Sequence, residues 1–191
     1  MTKTLKLSRF GGIMSVISKK RGSSMKKIMI IGCSGAGKST FAKNLHSITG
    51  IPLYHLDMIW HLPDKTNISR EEFDERLKNI LEKDEWIIDG NYNRTLEMRA
   101  EKCDTLFFLD LPIDECLSGV EKRIDKARDD MPWVEDRFDP EFRQWIIDFP
   151  AREYEKIKQL IEKHRDKNVT VFTSHREIDE YIERLRKGEE L

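Results

Sequence analysis

Cysteine is scarce in this sequence. Cys33, Cys103 and Cys116 are the only three in 191 residues, widely spaced and with no Cys-x-x-Cys pair. An odd, scattered set fits neither a disulfide framework nor a zinc site, and it points to a reducing, cytoplasmic compartment. No apolar run approaches the roughly 20 residues that span a bilayer, so no membrane role is expected. The first 24 residues lack a continuous apolar stretch followed by a small-residue cleavage site, which makes them a poor secretory signal. Charge of one sign is not in excess either. The net charge of -1 removes any global bias toward nucleic acid or anionic membrane. Internal repeats and low-complexity tracts are also absent.

What is present is a heavily charged chain of one-domain length, 38% hydrophobic and 36% charged, with room for one sizeable core. The charge is unevenly placed. Lys3, Lys6, Arg9, Lys19, Lys20 and Arg21 fall in residues 1–24, which contain no acid, so the remainder carries -7. We expect residues 1–24 to be a basic disordered leader or an upstream-start extension, ahead of a natural beginning at Met25-Lys26-Lys27 and a domain over 25–191.

From Met25 onward strand-like and helix-like segments alternate, which predicts an α/β fold with a mainly parallel sheet. Five short apolar runs read as buried strands: Ile28–Ile31, Pro52–Leu56, Trp86–Ile88, Thr105–Leu109 and Val169–Phe172. Ser69 with Glu72 forms a capping box and starts a helix near Arg70. Asp139 before Pro140 is an N-cap with proline at the first helical position. Ser174 with Glu177 starts a last helix over 177–186. Pro150 should kink or split the segment 140–163. Residues 121–138 are dense in charge, and read either as a lid over a site or as an ordinary exposed helix and loop.

Gly32-Cys33-Ser34-Gly35-Ala36-Gly37-Lys38-Ser39-Thr40 fits the pattern of a phosphate-binding loop, between a strand and an amphipathic helix carrying Phe41, Leu45 and Ile48 on one face. The glycines let backbone N–H groups converge on phosphate oxygens. The helix directs its positive dipole end at the same place. Lys38 would reach the β- and γ-phosphates of ATP or GTP, Ser39 would ligate Mg²⁺, and Thr40 would support the α-phosphate side. Cys33 reads as a small residue that fits. An Asn-Lys-x-Asp base-recognition motif is missing, which argues against a GTPase. Acids follow three apolar strands, Asp57, Asp89 and Asp110, where open α/β sheets bind ligands. Asp110, before Leu111-Pro112, reads as a structural turn. His55, Asp57 and His61 do not read as a metal site, and among the four tryptophans Trp60 is the best candidate for stacking on a ligand.

The loop, with Leu56-Asp57, Ile88-Asp89-Gly90 and Phe108-Leu109-Asp110-Leu111-Pro112, resembles the nucleoside-monophosphate-kinase group that includes adenylate kinase, with shikimate and gluconate kinases as close relatives. More closely, Tyr54-His55-Leu56-Asp57-x-x-Trp60, Trp86-x-x-Asp89-Gly90-Asn91-Tyr92, Arg128-x-Asp130-Met131 and Phe142-x-x-Trp145-Ile146-x-x-Phe149-Pro150 is similar to adenylate-kinase-like proteins often labelled DNA topology modulation proteins. The resemblance covers about residues 25–185. It implies a three-layer α/β/α P-loop fold with a five-stranded sheet and a helical lid over about 121–138, acting as a monomer or homodimer.

It further implies transfer of the γ-phosphoryl group from Mg·ATP to a small-molecule or nucleotide acceptor. Asp89 would hold Mg²⁺ with Ser39. Asp57 would contact the acceptor and take its hydroxyl proton, and Arg123 and Arg128 would grip the transferring group beside Lys38. Where adenylate kinases read Asp-Gly-Phe-Pro-Arg, this chain reads Asp89-Gly90-Asn91-Tyr92-Asn93-Arg94, which displaces the arginine that would clamp a nucleoside monophosphate. The family label and the basic leader together suggest a rival, an ATP-binding regulator that contacts DNA; a weak ATPase is a third reading.

Overall fold

The computed structural model describes residues 25–189, so the basic leader lies outside the described residues. Five strands, β1 (Lys27–Gly32), β2 (Leu53–His55), β3 (Trp86–Asp89), β4 (Thr105–Leu109) and β5 (Asn168–Phe172), form one sheet in the order β2-β3-β1-β4-β5. All four pairings are parallel. A parallel sheet covered on both faces needs strands that are apolar throughout, and Ile28 to Ile31 and Leu106 to Leu109 are all fully buried.

Helices cover both faces: α1 (Lys38–Thr49), α2 (Leu56–Trp60), α3 (Arg70–Leu81), α4 (Leu96–Lys102), α5 (Ile113–Glu121), α6 (Pro140–Ile147), α7 (Phe149–Lys163) and α8 (His175–Arg186), with a 3₁₀ turn at Asn93–Thr95. Adjacent strand residues point to opposite faces, and Phe107 and Phe108 show where each leads. The ring of Phe107 meets Phe41 of α1 at 5.0 Å and Tyr181 of α8 at 5.3 Å. Phe108 meets Tyr154 of α7 at 6.2 Å. The result is the three-layer arrangement.

Local signals act where the sequence places them. Ser69 accepts the Glu72 N–H at 3.0 Å and Asp139 accepts the Phe142 N–H at 2.9 Å. Pro150 splits its segment at Asp148, between α6 and α7. The last helix begins at His175, two residues before the expected Glu177, because Ser174 is itself the N-cap; the Glu177 carboxylate reaches back to the Thr173 N–H at 2.6 Å. The lid differs more. After α5 ends at Glu121 the chain runs through turns and bends to Asp139, so that connection is not helical. Arg123, Arg128, Asp130 and Glu135 pair with one another there, while Lys122, Lys126, Asp136 and Arg137 are exposed.

Central strand β1 leads straight into the glycine-rich loop, which packs on α5. Gly35 has φ +82°, and a Cβ there would lie 2.0 Å from the Cys116 carbonyl oxygen. Gly119, in the same helix, would put a Cβ 2.2 Å from the Gly35 oxygen. Alanine in an exposed helix interior is worth about 1 kcal/mol over glycine. Gly119→Ala is nevertheless expected to destabilise the fold by about 1–3 kcal/mol, the range for overpacking, and to weaken nucleotide binding. Urea unfolding and ATP titration check this, and a stabilised variant with unchanged affinity would refute it.

Candidate active site

Helix α1 opens on Gly37, which has no side chain to cap its first amides, and its first turn carries no acid. By contrast α3 begins with the Ser69 cap and with Glu71 and Glu72. An uncapped start leaves donors and the positive dipole end available to an anion. Lys38 Nζ donates to the Cys33 carbonyl at 3.0 Å, which holds the ammonium over the loop.

This end of the sheet forms a cavity of about 780 Å³, lined by Ser34, Gly35, Gly37, Lys38, Ser39 and Thr40 on one side. Asp57, Asp89, Arg123 and Arg128 line the same cavity. All five expected catalytic residues therefore meet in one space. Gly32, Cys33 and Ala36 do not line it; Cys33 and Ala36 are buried beneath the loop. They shape the turn from behind.

The strand register accounts for the acids. Asp89 ends β3 opposite His55 of β2 and Ile30 of β1, which sets it beside the exit into the loop. Asp89 is 4% exposed, and its Oδ1 lies 2.7 Å from His55 Nδ1. Burial works against charge on His55, but the hydrogen bond and charge of Asp89, with Asp130, outweigh it and raise the imidazole above its ordinary value. Asp57 sits in the first turn of α2 and accepts the Tyr92 hydroxyl at 2.8 Å. Burial and the Asp57 charge hold that phenol neutral. Asp110 is structural: it accepts from Tyr154 and does not line the cavity.

Each residue of Asn91-Tyr92-Asn93-Arg94 has its own anchor. Asn91 Oδ1 accepts the Gly32 N–H at 2.9 Å, Tyr92 bonds Asp57, and Asn93 donates to Glu153 of α7 at 2.7 Å. Arg94 pairs with Asp74 of α3 at 2.5 Å and does not line the cavity. The arginine engaged here is Arg99, fully buried, which donates to the carbonyls of Gly90, Asn91, Tyr92 and Thr95.

The lid adds residues to which the sequence assigned no role. Asp130 is 7% exposed and lines the cavity. Burial opposes its ionisation, yet the Ser39 hydroxyl, Arg128, Lys43 and His55 together hold its carboxyl below the ordinary value. Neighbouring Asp129 pairs with Lys43 of α1, which latches the lid to the first turns of that helix. Glu135 lies between the two lid arginines, 3.2 Å from each. Their fixed spacing along the chain gives no sign of these pairings, because the lid has no regular period. Trp60 packs on Phe73 at 5.4 Å. Trp133 is the tryptophan that lines the cavity, against His61 at 4.9 Å.

Ser39, Asp89 and Asp130 line the same cavity and offer hard oxygen donors. Among the described residues no three His, Cys, Asp or Glu side chains converge on one point. That donor set suits Mg²⁺ held by one or two carboxylates, water and substrate phosphates, and does not suit a dedicated protein cage.

No model of a known protein family matches the chain. Over 88 residues, 45% of its length, it is 35% identical to the adenylate kinases of Thermotoga petrophila and Thermotoga maritima. The match spans 39% of those relatives' length. Three solved structures share the fold. They are shikimate kinase from Acinetobacter baumannii in complex with shikimate (14% identity, TM-score 0.53, 86% of this chain and 94% of that one), shikimate kinase from Bacteroides thetaiotaomicron (16%, 0.51, 86% and 98%) and deoxyadenosine kinase from M. mycoides (15%, 0.51, 84% and 97%). The fold is that of the P-loop kinases. No helix among the described residues is long and apolar enough to cross a membrane.

Proposed function

We propose that this chain is an ATP-dependent phosphotransferase that moves the γ-phosphoryl group from Mg·ATP to a small hydroxyl-bearing acceptor. The observation that carries the reading is the single cavity in which the phosphate loop, Asp57, Asp89 and two lid arginines meet. Phosphoryl transfer asks little covalent chemistry of a protein; positioning and charge neutralisation do most of the work. The amides of the loop and α1 would hold the phosphates, with Lys38 and the lid arginines offsetting charge on the transferring oxygens. Ser39 and Asp89, with Asp130 from the lid, would hold Mg²⁺. The metal would supply charge neutralisation and orientation of the phosphates.

Asp57 would orient the acceptor hydroxyl and accept its proton, its second oxygen being held by the neutral Tyr92 phenol. Closure of the lid would exclude water and limit hydrolysis. The finer resemblance, to proteins labelled for DNA topology modulation, rests on motifs alone.

The test is ADP production from Mg·ATP against a panel of nucleoside monophosphates, nucleosides and small hydroxylated metabolites. Asp57→Asn should bind ATP within about twofold of wild type while losing about 10²–10⁴-fold in transfer, the range for a general base. Equal loss of ATP binding would place Asp57 on the donor side and overturn its assignment.

A further inference from the structure

Two arginines facing one cavity repel each other, and each has a side chain at most 21% exposed. Something must hold them together. The Glu135 Oε2 atom lies 3.2 Å from Arg123 Nε and 3.2 Å from Arg128 Nη2, so one carboxylate oxygen sits between both guanidinium groups. The Glu135 main chain is tied down as well, its carbonyl accepting the Asp125 N–H at 2.8 Å across the lid. Glu135 therefore joins the limb carrying Arg123 to the limb carrying Arg128.

The two contacts are not equivalent. Arg128 Nη2 donates a hydrogen bond to Glu135. The buried Arg123 Nε–H is misaligned and has no hydrogen-bond partner among the described residues, although the charge contact remains. A buried donor without an acceptor is rare and calls for a ligand or a strain to explain it. Here it belongs to a guanidinium that lines the cavity, beside the ring of Phe142 at 5.9 Å.

We propose that Glu135 is a positioning residue: it sets the spacing and orientation of Arg123 and Arg128 so that both can address a single terminal phosphoryl group. This rests on the phosphotransfer reading. Glu135 lines the same cavity and would act through the arginines, so its influence should appear where a γ-phosphate is present and vanish where it is not.

The experiment is titration of wild-type protein, Glu135→Gln and Glu135→Ala with Mg·ADP and with a non-hydrolysable Mg·ATP analogue, repeated in the Arg123→Ala/Arg128→Ala background. Thermal unfolding of each variant is followed in parallel. The ratio of analogue to ADP affinity should fall about tenfold in both Glu135 variants, the scale of one charge-assisted contact, with ADP affinity kept within about twofold. In the arginine-free background the Glu135 substitutions should change nothing further. Equal losses for both nucleotides, or an undiminished effect without the arginines, would overturn the proposal by making Glu135 a general support of the lid. A rise in the ratio would overturn it too, by showing a carboxylate that competes with the phosphoryl group. A wild-type protein that binds neither nucleotide would remove the phosphotransfer reading itself, and this inference with it.

Discussion

Lys38→Ala protein is expected to fold and to turn over Mg·ATP about 10²–10³-fold more slowly than wild type, the usual cost of removing one preorganised group aimed at transition-state charge. Folding should survive because Lys38 is the first residue of α1, where alanine is a good helix former. Among the described residues its ammonium donates one hydrogen bond, to the Cys33 carbonyl, worth about 1 kcal/mol net. Circular dichroism and thermal unfolding would confirm the fold while a coupled ADP assay follows turnover. ATP binding should weaken as well, because the same ammonium meets the ground-state phosphates. The variant also tests the loop independently of the acceptor, since hydrolysis without acceptor needs Lys38 as much as transfer does. Turnover within tenfold of wild type would sink the phosphotransfer reading.

How much of this was legible before the structure depends on whether a feature is local or tertiary. The loop, the caps at Ser69 and Asp139, and the break at Pro150 are local and appear at the expected residues. The five strands also fall where the apolar runs lie, within two residues at each end. The acids Asp57 and Asp89 could be found because strand ends are where this architecture gathers ligands. The pairing of Glu135 with two arginines, the latch between Asp129 and Lys43, and the cavity position of Asp130 could not. They join segments through space within a connection that has no periodicity to read. Arginine spacing after Asp89-Gly90 drew attention to Arg94, which turns outward to Asp74. The arginine that holds this turn is Arg99, further along in α4, whose place in a helix gave no reason to expect four carbonyl partners.

Arg99→Ala is therefore the second change with a large expected effect, on stability first and on the site through it. Burial lowers the guanidinium to about 9, with the charge of Asp89 among the groups opposing that shift, so it stays protonated at neutral pH. Truncation would leave the Gly90, Asn91 and Tyr92 carbonyls without this donor and Asp89 without this cation. Breaking a buried charged network of this kind costs about 3–5 kcal/mol, a large part of the 5–15 kcal/mol that holds a typical domain together. Arg99→Lys should recover only a fraction, because one ammonium cannot span a fork of four acceptors. Urea unfolding measures both, and a loss below about 1 kcal/mol for Arg99→Ala would show that the carbonyls find other donors. The consequence for function follows from what the loop carries. Asn91 holds the Gly32 amide at the base of the phosphate loop, and Tyr92 holds Asp57. On the proposed reading, one buried side chain outside the cavity thus supports both the donor and the acceptor half of the site. In variants kept folded at low temperature, ATP affinity and transfer should fall together, in contrast to Asp57→Asn, where transfer alone is lost.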